Sequence, residues 1–396
     1  MTPAIRLTAA GFVATAVAFG PARMGFGLFL PAFREEFVLS TSAAGIIASG
    51  GFLAFLLALL ASAWLCRRYG ERVSVITGAL SASVGFAVVA AAGAPSLLAL
   101  GIALAGASAG LCWAPFNDAA ERVLPDTARA GALSVVSTGT TFGVVAAAGL
   151  ALAVTEGPLD WRGAWLGFAL GGLALAGIAM AGLPSSRGRK PASDAGADGP
   201  SLARRAAIPL YTTALCFGMT NAVFLSFAAD RVVAAGGLSG LPDDAASAVI
   251  FLAYGICGVL GLLTGRIEAR IGLAPLFFAI FAAGALSLVL IALAPTSWSA
   301  VLAASGLHGA AIMMVSAVFS FWSLRLFPNR GTLGFTATLL SVAAGSVLGP
   351  ALAGWLADAH GPEVMFLSAA APPLATALWF GAKLRGARPR LPPVLE

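Results

Sequence analysis

Charged side chains are scarce in this chain: Asp, Glu, Lys and Arg make up only 10% of its 396 residues, and hydrophobic residues make up 59%. A soluble domain needs more polar surface, so soluble classes are excluded. The four cysteines have no Cys-x-x-Cys spacing, which leaves neither a disulfide framework nor a zinc site. A phosphate-binding loop with its lysine and a His-Glu-x-x-His motif are also lacking. We therefore predict no cofactor, no metal and no enzyme activity.

Long apolar runs fill the sequence instead, each about as long as the roughly 20 residues that a helix needs to cross a bilayer. This repeated unit differs from the alternating strands of about ten residues that build an outer-membrane barrel. The runs lie at 8–32, 41–65, 73–93, 96–118, 131–154, 162–183, 206–229, 244–264, 273–294, 297–322, 332–356 and 362–382. We predict an all-α membrane protein with twelve transmembrane helices whose glycines, 48 in total, allow close helix packing.

Basic residues occupy every second interval between the runs, starting with the segment before the first. By the positive-inside rule this distribution predicts an inner-membrane protein with both termini in the cytoplasm. The basic residues behind the net charge of +6 then face anionic lipid headgroups, so this charge does not indicate nucleic-acid binding. The expected partners are the lipid bilayer and a small-molecule substrate, and we expect a monomer.

One segment, 184–205, is polar and rich in Ser, Gly, Asp and basic residues, which is typical of a linker. It separates a predicted six-helix bundle at 1–183 from a second at 206–396, which ends in a short basic tail. The halves repeat, because Arg68-Tyr69-Gly70 after the second run recurs as Arg270-Ile271-Gly272 after the eighth. Parallel repeats of this kind are typical of transporters, whose substrate site lies at the midplane between them.

These features resemble the major facilitator superfamily over essentially the whole chain. The loop signature of that family is Gly-x-x-x-Asp-Arg-x-Gly-Arg-Lys/Arg. In the first half Arg68, Gly70 and Arg72 match this signature, but the arginine that follows its glycine is replaced by Glu71. In the second half Arg270 and Gly272 match it. The resemblance implies that the five matching residues form a gate between the halves.

The signature aspartate is replaced by Arg67, and this replacement puts the family's charge lock in doubt. Asp118 and Glu121, at the end of the fourth run, are substitutes that would pair with Arg67, Arg68 or Arg72. The alternative is that all of them are exposed loop charges, whose pairing is worth under about 1 kcal/mol.

An arginine, Arg23, interrupts the first run. The helix is expected to bend just before it, at Gly20 and Pro21, and Gly345, Gly349 and Pro350 predict a second bend in the eleventh run. A charge at membrane depth indicates a ligand or a partner. The alternatives are that Arg23 snorkels to one end of the bilayer or forms a structural pair with a neighbouring helix.

The motif around this arginine, Gly20-x-x-Arg23-x-x-Phe26-Gly27-Leu28-x-Leu30-Pro31, is similar to the start of the YbfB/YjiJ-like branch, near the cyanate-permease-like proteins. The predicted substrate-binding residues are Arg23, Phe26, Trp113, Asn221, Tyr254, His308 and Trp322. His308 would carry a coupling proton, or alternatively pack as a satisfied core histidine. The aromatic residues would line the cavity, or alternatively pack or form an interfacial belt.

We interpret the chain as a secondary transporter that moves a small organic anion by alternating access, with proton coupling left open. One alternative is proton-coupled efflux of a toxic or drug-like compound. Two features that the family's drug antiporters carry are missing, a glycine-proline motif in the fifth run and an arginine early in the fourth. A membrane sensor without transport is the other alternative.

Overall fold

The computed structural model describes residues 2–113, 115–155, 160–183, 201–328 and 330–386, and these ranges contain helices and no β-strand. Twelve segments are long and apolar enough to cross a membrane, so the predicted twelve-helix fold is confirmed. The α-helices are α1 (Pro3–Phe19), α2 (Pro21–Phe37), α3 (Thr41–Tyr69), α4 (Glu71–Ala90), α5 (Pro95–Cys112), α6 (Pro115–Val123), α7 (Asp126–Thr155), α8 (Trp161–Gly182), α9 (Ile208–Ala234), α10 (Asp243–Gly258), α11 (Thr264–Ile271), α12 (Leu273–Leu293), α13 (Trp298–Leu326), α14 (Gly331–His360) and α15 (Pro362–Gly386). Residues 184–200 of the predicted linker lie outside the described ranges.

Two of the twelve spans are built from more than one α-helix. The first span consists of α1 and α2, and the chain leaves helical geometry between them at Gly20, with φ −77° and ψ −103°. Pro21 then begins α2 at a position where its missing N–H costs nothing. The eighth span consists of α10 and α11, joined by a 3₁₀ segment at Val259–Leu263. A 3₁₀ stretch inside a long helix is a frequent mark of a hinge.

Glycines let helix backbones touch at equivalent places in the first and last six spans. A Cβ on Gly139 or Gly143 of α7 would overlap backbone atoms of α1, and one on Gly345 or Gly349 of α14 would overlap backbone atoms of α9. These glycines therefore fix the fifth span on the first and the eleventh on the seventh. The helix α14 continues without a break through Pro350, which lies within it.

Buried apolar side chains form one core at one end of the bundle and two cores at the other. The single core joins both sets of six spans, from Phe29 and Trp165 to Phe251 and Phe366. We call the end beside it the closed end. At the other end one core belongs to the first six spans and a separate one to the last six. We call this the basic end, because it carries Arg67, Arg68, Arg122, Arg270 and Arg325.

Candidate functional site

A cavity of about 650 Å³ lies between the first and last six spans. Its walls come from α1, α2, α3 and α7 on one side and from α9, the hinge of the eighth span, α13 and α14 on the other. This volume falls within the range of about 300 to 1,000 Å³ that is usual for small-molecule sites. The cavity reaches from the midplane into the basic half of the bundle, where the two cores separate.

Arg23 lines this cavity near the point where the two sets of spans meet. At this meeting point the backbones are so close that a Cβ added to Gly27 would overlap the carbonyl oxygen of Leu225. Three aromatic rings surround the guanidinium carbon, at 5.6 Å from Phe19, 5.5 Å from Phe52 and 5.0 Å from Phe55, measured to the ring centroids.

Within the described residues, Arg23 has no hydrogen-bond acceptor and no carboxylate partner. Cation–π contacts hold the guanidinium in place but leave its N–H donors unused. An unpaired charge with free donors at the end of a cavity between the two sets of spans is suited to bind an anion.

Asn221 lines the same cavity from α9 and is held from behind by a buried polar chain. His308 lies 3.3 Å from the Asn221 side-chain oxygen through Nε2 and 2.8 Å from Ser287 Oγ through Nδ1. The imidazole stacks on Phe224 with ring centroids 3.9 Å apart. His308 thus stands one layer behind the cavity wall and touches it through Asn221.

In the part of the chain that the structure describes, two buried polar atoms near these side chains have no hydrogen-bond partner, the Asn221 amide nitrogen and the Tyr254 hydroxyl. Unsatisfied buried donors are costly and rare in folded proteins. The amide nitrogen of Asn221, a residue of the cavity wall, is therefore a second candidate donor to a bound solute.

The other predicted binding residues are in different places. Trp113 lines the cavity and contacts Phe19, with ring centroids 6.4 Å apart. Phe26 is buried beside Arg23, and Tyr254 is buried behind the wall near Phe224. Trp322 packs instead against the rings of Phe277, Trp379 and Phe380 and is not part of the wall.

The cavity wall also contains hydroxyl side chains that our sequence analysis missed. They lie on α7, α11 and α13, and are Ser134, Ser137, Thr138, Thr140, Thr141, Thr264, Ser316 and Ser320. The signal was present in the run Ser134-Val-Val-Ser-Thr-Gly-Thr-Thr141, which is unusually polar for a membrane helix. These hydroxyls add hydrogen-bonding groups to a wall that is otherwise mostly aromatic and aliphatic.

The two repeated loops at the basic end have the same backbone conformation. Gly70 and Gly272 have φ values of +88° and +82°, which strongly favour glycine, and each ends one helix and begins the next. Arg67, Arg68 and Arg270 are exposed beside them, and Arg68 donates to the hydroxyl of Tyr69 at 3.3 Å.

Two ion pairs lie beside these loops, and their arginines occupy corresponding positions of the repeat. Arg122 contacts Glu71 at 2.6 Å, and Arg325 contacts Glu268 at 2.6 Å. Each pair lies within one set of six spans, so neither pair joins the two sets. The side chains of Asp118 and Glu121 lie outside the described part of the structure, and their gating role stays a prediction.

We expect the Arg122–Glu71 pair to brace the first loop. A double-mutant cycle of Glu71→Gln and Arg122→Gln should give a coupling energy on the order of 1 kcal/mol, because both side chains are mostly buried. Thermal unfolding in detergent measures it, and the more exposed pair Arg325–Glu268 serves as the control with a smaller coupling. A coupling near zero for Arg122–Glu71 would mean that the pair contributes nothing to the loop.

Polar contacts between the two sets of spans are found at the closed end. Arg34 of α2 contacts Asp230 of α9 at 2.6 Å. The Asp358 carboxylate of α14 accepts from the backbone N–H groups of Thr41 and Ser42 at 3.1 and 2.9 Å, so a residue of the last six spans caps α3 of the first six. These contacts must break if the bundle opens at this end.

Two sets of six membrane helices around a shared cavity are the architecture of a membrane transporter. The sequence profile of the Major Facilitator Superfamily matches residues 11–272. The chain belongs to this superfamily, as the sequence predicted. No curated protein sequence matches it significantly.

Solved transporter structures share the fold. The nucleoside transporter NupG superposes with a TM-score of 0.74 at 15% identity, covering 97% of this chain and 100% of that chain. The peptide transporter POT in complex with sulfate gives a TM-score of 0.76 at 14% identity, covering 97% and 94%. A bacterial homologue of the lysosomal transporter Spinster, inward-facing and occupied, gives 0.70 at 16% identity, covering 96% of both chains. At these identities the likeness concerns the fold alone.

Proposed function

We propose that the chain is a secondary transporter that carries a small organic anion across the inner membrane by alternating access. The observation that carries this proposal is Arg23, an unpaired charge with free N–H donors at the inner end of a 650 Å³ cavity. A carboxylate can accept two parallel hydrogen bonds from a guanidinium. Asn221, on the opposite wall, supplies a further donor from the last six spans.

The proposed orientation places both termini and the basic end in the cytoplasm, because this end carries most of the loop arginines. The bundle described here is then inward-facing, with its closed end at the periplasmic surface. Rocking of residues 1–183 against 206–396 would expose the same site to the other side. Assignment to the YbfB/YjiJ-like branch and a monomeric state remain predictions.

The aromatic wall supports a second candidate function, export of an amphipathic compound. Phe19, Phe55, Phe217 and Phe335 all line the cavity and would bury the apolar part of such a compound. Both functions use Arg23 for the charged group, and they differ in the direction of transport. A sensor with the same fold would bind its ligand without moving it.

Counterflow in proteoliposomes tests the proposal. Vesicles loaded with one unlabelled monocarboxylate from a panel should accumulate the same labelled compound transiently, and vesicles with Arg23→Ala should not. Exchange that is insensitive to Arg23→Ala would contradict the anion proposal. A compound that stabilises the protein thermally but never exchanges would indicate the sensor.

The Arg34–Asp230 pair should hold the closed end shut. In Asp230→Asn the charge of Arg34 loses its partner, at a cost on the order of 1 to 3 kcal/mol. We therefore expect the fraction of molecules open at this end to rise by about fivefold or more. Pulsed EPR distances between spin labels at Glu35 and Ser239, with the native cysteines replaced, measure this fraction.

The control for Asp230→Asn is Glu268→Gln, which breaks an ion pair within the last six spans and should leave the Glu35–Ser239 distance unchanged. An unchanged distance distribution in Asp230→Asn itself would show that the pair does not hold the closed end.

If transport is proton-linked, we propose His308 as the proton carrier, because an imidazole can bind and release a proton and His308 touches the cavity wall through Asn221. His308→Gln should abolish uptake driven by a pH gradient while counterflow of the same compound continues. His360→Gln, at the exposed end of α14, is the control and should retain both activities. Uptake in His308→Gln that still follows the pH gradient would assign this residue to packing.

A further inference from the structure

A second, smaller chamber adjoins the main cavity at Arg23. It has a volume of about 30 Å³ and is lined by residues of α2, α3, α5 and α9. Arg23, Phe55 and Leu225 line both spaces, so the two spaces meet beside Arg23. A chamber needs about 10 to 15 Å³ to hold one water molecule, so this one has room for about two.

The polar side chains that line the small chamber are Arg23 and Ser226. Ser226 is only 3% exposed, and its hydroxyl has no hydrogen-bond partner among the described residues. A buried serine in a helix usually donates to a carbonyl of the preceding turn, as Thr220 of the same helix does at 3.1 Å. The Ser226 hydroxyl is therefore free to bond to a guest in the chamber.

The walls around these two polar groups are rigid. Ala48, Ile102 and Ala109 are buried, and a Cβ on Gly106 would overlap the backbone of Gly51. Widening the chamber would require α3 and α5 to separate and lose this close backbone packing, which opposes the change. Its size then limits the shape of any group that enters.

Resting on the anion-transport function proposed above, we propose that the small chamber is a head-group subsite that holds the planar carboxylate of the substrate between Arg23 and Ser226. The two oxygens of a carboxylate occupy about the space of two water molecules, whereas sulfonate and phosphonate groups carry a third oxygen that this chamber does not accommodate. The remainder of the substrate extends into the aromatic main cavity. The subsite also joins the two sets of spans, because Arg23 belongs to α2 and Ser226 to α9.

The test compares head groups on a common body in the full-length protein. The probes are benzoate, benzenesulfonate and phenylphosphonate, with hexanoate and hexanesulfonate as a second body, and binding is measured by thermal stabilisation in detergent. The wild type should bind the carboxylates at least about tenfold more tightly than their sulfonate and phosphonate analogues. Ser226→Ala should weaken carboxylate binding by about tenfold, the effect of losing one hydrogen bond to a charged group.

Two further variants separate a subsite from a structural role. Ser108→Ala is the matched control, because its buried hydroxyl bonds only to Ala105 of its own helix and lines neither space, so binding should be unchanged. Ile102→Val removes one methyl group from the chamber wall and so enlarges the chamber. The ratio of carboxylate affinity to sulfonate affinity should therefore fall.

The outcomes distinguish this inference from the function on which it rests. Carboxylate binding that depends on Arg23 but is the same in Ser226→Ala, or is equalled by the sulfonates, would overturn the head-group subsite and leave the proposed function standing. If neither benzoate nor hexanoate stabilises the wild-type protein, both the subsite and the anion proposal are contradicted.

Discussion

Substrate binding should be almost completely lost in Arg23→Ala, with an affinity reduced by more than about a hundredfold. The loss of one fully charged, doubly hydrogen-bonded contact in an enclosed site is worth about 3 kcal/mol or more. Arg23→Lys keeps the charge but not the planar fork of donors, so it should still weaken binding by at least about tenfold, or roughly 1.4 kcal/mol. Equilibrium binding of a labelled carboxylate to protein in detergent measures both changes.

Arg6→Lys is the matched control for the Arg23 variants, because Arg6 lies in the same span, is exposed and is not part of the cavity wall. It should bind as the wild type does. Both Arg23 variants should also unfold at about the wild-type temperature, since no ion pair is lost within the described residues. Wild-type affinity in Arg23→Lys, or misfolding of both Arg23 variants, would show that the arginine is a structural or snorkelling charge.

The second large effect is expected at Gly27, where α2 and α9 touch. In Gly27→Val the new Cβ would overlap the carbonyl oxygen of Leu225, a backbone atom that cannot rotate away. The closed end could then no longer assemble, because overpacking at a backbone contact costs about 1 to 3 kcal/mol or more. We expect transport to fall to background and the Glu35–Ser239 spin-label distance to lengthen.

Gly50→Val is the matched control, because a Cβ on Gly50 meets no atom within 4 Å. It has the same chemical change in a neighbouring membrane helix and should transport normally. Normal transport in Gly27→Val would mean that α2 and α9 can separate without loss of function. Transport would then not require closure of the bundle at this contact.

The twelve-helix fold could be predicted from the sequence because its signals are local. Each span carries its own apolar run, and Gly70 and Gly272 mark the repeated turns by a residue type that their positive φ angles favour. The break at Gly20 is likewise encoded in the two adjacent residues Gly20 and Pro21.

The site was less predictable because it depends on which residues meet across the fold. Arg23, Trp113 and Asn221 were expected in the cavity and line it, but Trp322 packs in an aromatic cluster whose members come from α12, α13 and α15. Glu71 pairs with Arg122, fifty-one residues along the chain. No local pattern indicates such a partner, and the pairing of Asp118 or Glu121 with the loop arginines stays a prediction.

The central claim is that Arg23 binds the anionic group of the substrate, and one measurement tests it most directly. Thermal unfolding of the wild type and of Arg23→Ala is recorded with a panel of monocarboxylates and with their uncharged primary amides. A ligand of the folded state raises the melting temperature, and more so as its affinity increases. We predict that some carboxylates stabilise the wild type, that their amides do not, and that Arg23→Ala loses the stabilisation. Equal stabilisation by acid and amide, or stabilisation that persists in Arg23→Ala, would contradict the claim.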